Sequence, residues 1–251
     1  MKAKILAVIP ILLLTSCDFY NHYIYDDEGY QRFDGTLLEL EGINKLDVGW
    51  VNGSVGIVQS DQDHLTVDES SSNYPFYYKI EEGCLSIKLA QSRLPSRIVN
   101  KLEKSLHVYL PISFEEINVD VVNSSVYANI IDIKKDRYNC VRSSFSAERI
   151  LAKETDFNLV STNCYVSYME CYKEEDIKQD VSIDAVESEV TFGVDYVAGY
   201  IVDWDGVRST FTSDNKNQKR FGKEKLNIDF DGVKSSLHLN EYYVFEGEYQ
   251  E

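Results

Sequence analysis

Along most of this chain, apolar and polar residues alternate in short runs rather than recurring at helical spacing. Leu46-Val48-Trp50, Ile117-Val119-Val121 and Leu226-Ile228-Phe230 each alternate with polar neighbours, the period of a strand with one buried face. Each run leads into a heptapeptide of the form Val-x-small-x-apolar-x-apolar, which occurs seven times. The copies start at Val51, Val122, Val141, Val160, Val186, Val207 and Val233. Gly, Ser or Thr fills the third position in every copy, and the fifth is apolar or Cys. From Val122 onward the starts are 19, 19, 26, 21 and 26 residues apart. If each copy is one extended strand, its first, third, fifth and seventh side chains share the buried face. A repeat then holds two short strands, one before the Val and one through it, with little room for a helix.

A period near 20 residues built on a strand motif is the mark of stacked coils. A β-sandwich also has many short alternating strands, but it does not require one residue class at one register in every repeat. The expected fold is all-β: a single-stranded right-handed parallel β-solenoid (β-helix) of about 20-residue rungs. In that arrangement the Val, small-residue and fifth-position columns form ladders through the interior. The small third residue is expected because the coil is narrow there. Asp205-Gly206 and Asp231-Gly232 are expected in tight turns, and Asp203 and Asp229, two residues before Asp205 and Asp231, as turn carboxylates rather than calcium ligands. Two polar interruptions, residues 90–105 and 214–224, are expected as solvated loops where binding could reside.

The first residues carry a separate message. Lys2 and Lys4 precede a ten-residue apolar stretch, Ile5 to Leu14, and Leu14-Thr15-Ser16-Cys17 matches a bacterial lipobox. The stretch is about half the ~20 residues of a membrane span. Residues 1–16 are therefore expected to be a lipoprotein signal peptide and Cys17 the lipidation site. Residues 17–41 are expected to form the tether and 42–251 the solenoid domain. The mature chain is expected in the cell envelope, held to a bacterial membrane by its N-terminal lipid. The outer membrane, facing periplasm or surface, is favoured over the inner, although Asp18 marks inner-membrane retention in some bacteria. Cleavage removes Lys2 and Lys4 and takes the net charge from −17 to −19. Such a charge opposes nucleic acid and anionic lipid surfaces, which need cationic patches.

Candidate chemistry is sparse. Cys84, Cys140, Cys164 and Cys171 lack metal-ligand spacing, and Cys164 occupies an inward position of its repeat; core thiols are favoured over disulfides. No cofactor, metal or catalytic residue is assigned. The nearest approach to a carboxylate pair for glycoside hydrolysis is Glu187 and Glu189, outward on one repeat.

On residues 46–55, 83–88 and 106–111 and the Val-x-Ser-x-Val series from Val122, the chain resembles the bacterial putative-adhesin domain family of unknown function. More distantly it is similar to auto-transporter adhesin head domains. The resemblance covers most of residues 42–245 and implies a β-solenoid, often lipid-anchored, with no catalytic residues to carry over. The function expected is a non-enzymatic envelope scaffold binding a protein or glycan partner, in adhesion or envelope organisation. Outward tyrosines such as Tyr127 and Tyr165 could supply contact surface, though aromatics also suit sheets for packing alone. The alternatives are an envelope-stress sensor acting with a membrane partner and a polysaccharide-active enzyme.

Overall fold

The structure is a computed structural model; it describes residues 22–35, 37–70, 74–172 and 177–242. Cys17 lies outside them, as does the expected signal peptide. The described chain is nearly all strand, with one helical turn at Ser96–Val99. Its strands join into one large mixed sheet and a two-stranded one.

From residue 45 the equivalent strands of successive repeats pair in parallel. Ser125↔Ser144 and Ser144↔Asn163 are neighbours in register, as are Asn163↔Glu189 and Glu189↔Ser236. Repeated residue classes thereby stack on themselves. Tyr138 stacks on Phe157 in one core column (5.4 Å between centroids), and Phe192 from another column packs beside Phe157 (5.5 Å). Cys140 and Cys164 are buried free thiols in this core, with Cys84 and Cys171 free and partly covered.

The heptapeptide is not one straight strand. Its second residue has positive φ in all seven copies: Asn52, Asn123, Arg142, Ser161, Glu187, Arg208 and Lys234, between 49° and 60°. A left-handed residue turns the chain through a corner and shifts the inward phase. In the Val122 repeat, Ile117, Val119 and Val121 point inward before the corner, and Ser124, Val126 and Ala128 after it. The Val column therefore sits at the corner. Val122, Val141, Val160, Val186 and Val233 are only partly buried, and Val207 is 49% exposed.

The corner also explains the third residue, and hydrogen bonding rather than narrowness is the reason. Each hydroxyl donates to the carbonyl of its own Val: Ser124 Oγ to Val122 O (2.9 Å), Ser143 to Val141 (2.8 Å) and Thr162 to Val160 (3.0 Å). Ser188 to Val186 (2.9 Å), Ser235 to Val233 (3.0 Å) and Ser209 to Val207 (3.2 Å) continue the set. The same oxygen accepts the third-residue N–H of the rung before it. Ser124 N reaches Ser143 Oγ (3.2 Å) and Ser143 N reaches Thr162 Oγ1 (3.4 Å). Thr162 N reaches Ser188 Oγ, Ser188 N reaches Ser235 Oγ and Ser235 N reaches Ser209 Oγ, each at 3.1 Å. Corner amides that the sheet cannot satisfy are thus bonded to hydroxyls. The first copy uses Gly53 instead, because the backbone of Lys104 crosses there; a Cβ would lie 2.0 Å from Lys104 O.

Several expectations need correction. The sheet is mixed, not wholly parallel. Antiparallel strands cap the N-terminal end, where Leu65–Glu69 runs against Ser105–Pro111, and Tyr77–Glu81 against Cys84–Lys88 through the Glu82-Gly83 turn. Both turn residues have positive φ, as a two-residue hairpin needs. Nor is the coil wound in sequence order. Cys84–Lys88 and Ser105–Pro111 lie outside Lys45–Ser60, while Glu116–Val141 pairs with its other side, so Val51 neighbours Val122 across 71 residues. At the far end, Leu226–Val233 inserts between Gln179–Val186 and Tyr200–Val207. The chain crosses itself there at Gly199 and Gly222, both with positive φ; a Cβ on Gly199 would meet Phe221 O at 2.1 Å. Only the rungs from Val122 to Val186 stack consecutively.

Gly206 and Gly232 lie in strands rather than turns, and neither has positive φ. Added Cβ atoms would meet the rings of Trp204 (2.5 Å) and Phe230 (2.2 Å), which stack at 4.4 Å. Residues 90–105 are not a solvated loop: Ala90, Leu94, Val99 and Lys104 are buried. Lys104 donates to Tyr74 O (2.7 Å) and Leu89 O (2.6 Å) and forms an ion pair with buried Glu69. Tyr23 and Phe33, within the stretch expected as a tether, are buried in the core.

Two predictions follow from the interior. Ser188→Ala strands the buried Thr162 N–H and should cost about 1–3 kcal/mol, whereas Ser188→Thr, the residue used at position 162, should cost much less. Urea midpoints of the mature chain at unchanged m-value check this. Asp136, fully buried beside Tyr138 and Thr155, is pushed up to about 7 by burial. Its neutral form is favoured in the fold, so the stability this group contributes is greatest at low pH, falls as pH rises from about 4 to about 7, and is flat above. At about 1.4 kcal/mol per unit the loss approaches 4 kcal/mol. Asp136→Asn should raise the melting temperature at pH 8 and remove that fall; equal pH profiles for the two proteins would refute it.

Candidate functional site

The corner separates two of the outer faces of each rung, and they differ in chemistry. Strands preceding the corner carry most of the cross-rung ion pairs, and Arg149 with Glu170 (3.1 Å) lies beyond it. Lys135 pairs with Glu154 (2.8 Å) and Arg137 with Asp156 (2.9 Å) across neighbouring rungs, and Lys45 with Glu116 (2.9 Å). Asp120, Asn139 and Asn158 form a side-chain ladder on the same face, with Asn158 Nδ2 donating to Asn139 Oδ1 at 2.7 Å. Toward the C-terminal end this face becomes acidic. Asp184 aligns with Asp231, Asp231 with Asp205, and Asp229 with Asp203. These carboxylates are strand residues, correcting the expectation that Asp203, Asp205, Asp229 and Asp231 mark turns. Among the described residues, no group of three or more His, Cys, Asp or Glu is placed to hold a metal ion.

Strands following the corner present the opposite character. Fourth positions of the heptapeptides align as Ser54, Ser125, Ser144, Asn163, Glu189, Ser236 and Thr210, extended by Ser105. Sixth positions align as Gly56, Tyr127, Ser146, Tyr165, Thr191, His238 and Thr212, extended by His107. Glu189 is the one carboxylate in these two columns, and neither contains Lys or Arg. On a chain of net charge −17 this is a broad stripe, uncharged except at Glu189.

Neighbouring rungs tie the stripe together. Ser54 Oγ donates to Ser105 Oγ (2.8 Å) and Ser144 Oγ to Ser125 Oγ (3.1 Å); Thr212 Oγ1 is 2.7 Å from His238 Nδ1. Tyr127 and Tyr165 stand in one column, 44% and 45% exposed, with Ser146 between them. Parallel rungs about 4.8 Å apart put those two positions about 9.5 Å apart. Tyr127 donates its hydroxyl to Glu148 Oε1 on the next rung (2.5 Å), and that bond raises the phenol above its ordinary value.

Glu187 and Glu189 do not form a catalytic pair. Glu187 occupies the left-handed corner, and its carboxylate bonds Lys234 Nζ at 2.8 Å, which holds it below the usual carboxylate range. A general acid for glycoside hydrolysis needs the opposite shift. Glu189 lies beyond the corner, as the one carboxylate of the stripe. Sequence reasoning singled out Tyr127 and Tyr165 but missed the stripe around them. Aligning the fourth and sixth positions of the copies would have shown it.

No family profile and no curated protein matches the chain. Among solved structures, it is similar to a putative cell adhesion protein from Clostridium sporogenes ATCC 15579, at 11% identity and TM-score 0.41, over 82% of this chain and 98% of that one. It is also similar to a putative adhesin from Bacteroides fragilis NCTC 9343, at 12% identity and TM-score 0.43, over 84% and 99% of the two chains. A third is a putative lipid binding protein from Parabacteroides distasonis ATCC 8503, at 11% identity and TM-score 0.32, over 86% and 98%.

The thiols offer a direct check of the packing beneath the stripe. Burial pushes Cys140 up to about 12 and Cys164 well above its ordinary value, so both stay protonated and covered. Alkylation of the native mature chain followed by peptide mass spectrometry should leave Cys140 and Cys164 unmodified, and denaturant should expose both. Rapid modification of either in the native chain would contradict the packing.

Proposed function

We propose that this protein is a non-enzymatic, lipid-anchored envelope protein of the adhesin kind, and that its uncharged stripe is the surface that meets a partner. Cys17 carries the lipid after removal of residues 1–16. The parallel rungs act as a solenoidal rod that holds the stripe at fixed spacing. The observation that carries this reading is the segregation of charge. Cross-rung ion pairs and Asp/Asn ladders occupy one face, while the adjacent face keeps hydroxyls and exposed tyrosines. Solvation alone does not require such a division, because charge on either face would keep the chain soluble. A neutral, hydrogen-bonding surface with aromatic anchors is suited to binding instead.

A photo-crosslinking residue placed at Ser146 in the living producer, against one at Asp156 on the charged face, tests this. Reproducible adducts at position 146 that are absent at 156 are expected. Equal labelling at both positions, or none at 146, would overturn the proposal. In parallel, Cys17→Ser should abolish lipid labelling and release the protein from the membrane fraction.

A further inference from the structure

Resting on that reading of the stripe, we infer that its ligand is a neutral glycan chain lying across the rungs, with sugar rings stacked on Tyr127 and Tyr165.

Charge argues first for neutrality. An anionic polysaccharide would approach a strongly acidic protein through columns that contain no Lys or Arg. A cationic ligand would find its carboxylates on the other face, where the Asp184, Asp231 and Asp205 series lies. What the stripe offers is hydroxyl and amide groups from Ser125, Ser144, Ser146 and Asn163 around two exposed rings. These groups both donate and accept, matching the hydroxyls of a sugar.

Geometry argues next for a chain. The two rings share a column two rungs apart, about 9.5 Å, comparable to one disaccharide step of an extended glycan. Ser146 fills the rung between them, leaving no bulky side chain in the path. The Tyr127 hydroxyl is anchored to Glu148 on the next rung, which holds the ring in place. An exposed aromatic ring held in this way can stack against the C–H groups of a pyranose. Rigid sheet residues also lose little conformational freedom on binding. A protein partner would be served differently: its interface centre needs desolvated apolar anchors, and Tyr127 and Tyr165 are the only large side chains with apolar surface at the fourth and sixth positions of the seven copies.

The test uses the mature lipidated protein in detergent and isothermal titration with cellohexaose, laminarihexaose, xylohexaose and mannohexaose, against hexagalacturonate as the acidic counterpart. At least one neutral hexasaccharide should bind while hexagalacturonate does not. Tyr127→Ala and Tyr165→Ala should each weaken that binding about tenfold, and Tyr77→Ala, on the strand beside the charged face, should leave it unchanged. Melting temperatures of the three variants confirm that each is folded. Failure of all four neutral sugars, preference for hexagalacturonate, or binding indifferent to both tyrosines would overturn the inference. The two readings separate at the crosslink: adducts at Ser146 that mass spectrometry shows to be peptide without sugar keep the stripe as a docking face and exclude a glycan.

Discussion

The architecture depends on one repeated interaction, a hydroxyl that closes a left-handed corner and binds the next corner. A non-glycine residue in that backbone region costs about 1–2 kcal/mol, and the turn leaves an amide that cannot join the sheet ladder. Each corner hydroxyl donates to its own Val carbonyl, and those of the later rungs also accept the preceding rung's stranded N–H. Each such bond contributes about 1 kcal/mol, and leaving the amide unpaired in the interior would cost more. The corner is thus stabilised only when the neighbouring rung is in register. Local turn and long-range stacking become the same event, which couples the rungs beyond the ordinary sheet hydrogen bonds.

That coupling has consequences at both surfaces. Inside, rows on either side of the corner meet, and Tyr138 and Phe157 pack with Phe192 into one aromatic series. Asp136 is the discordant member of this core, a carboxyl among rings. Outside, the corner separates a face of ion-pair and amide ladders from one of hydroxyls and tyrosines. Each outward column repeats at the rung spacing, so a small set of residues becomes an extended surface with a fixed period. A periodic surface suits a polymeric ligand, whose own units repeat.

The ends obey a different constraint. A stack of rungs ends in open strands, and unprotected edges invite association. The N-terminal edge is covered by antiparallel strands and by residues 90–105, locked by Lys104 against Glu69. At the other end the chain lays down Tyr200–Ser213 first and then returns to fill the vacant rung, leaving Trp204 and Phe211 half covered and Lys219 over the Trp204 ring, 5.6 Å from its centroid. The crossing needs two glycines because the backbones approach too closely for any Cβ.

Much of this is legible in the sequence. Alternation identifies strands, and the recurrence of Val-x-small-x-apolar fixes which residues align, because stacked columns demand one residue class at one register. The tyrosines of the candidate site lie at repeat positions whose outward direction also follows from period two. What the sequence does not reveal is decided by backbone that only tertiary contact can stabilise. Left-handed Arg142, Glu187 and Lys234 carry no signature of their own, since each depends on the hydroxyl that follows it and on a bond from its N–H to another rung's carbonyl. Gly206 and Gly232 resemble turn residues, yet their role is to make room for rings two residues earlier. The inverted order of the terminal rungs is equally silent, because parallel partners of one register class are interchangeable until the crossing chain, at Gly199 and Gly222, determines which of them can be neighbours.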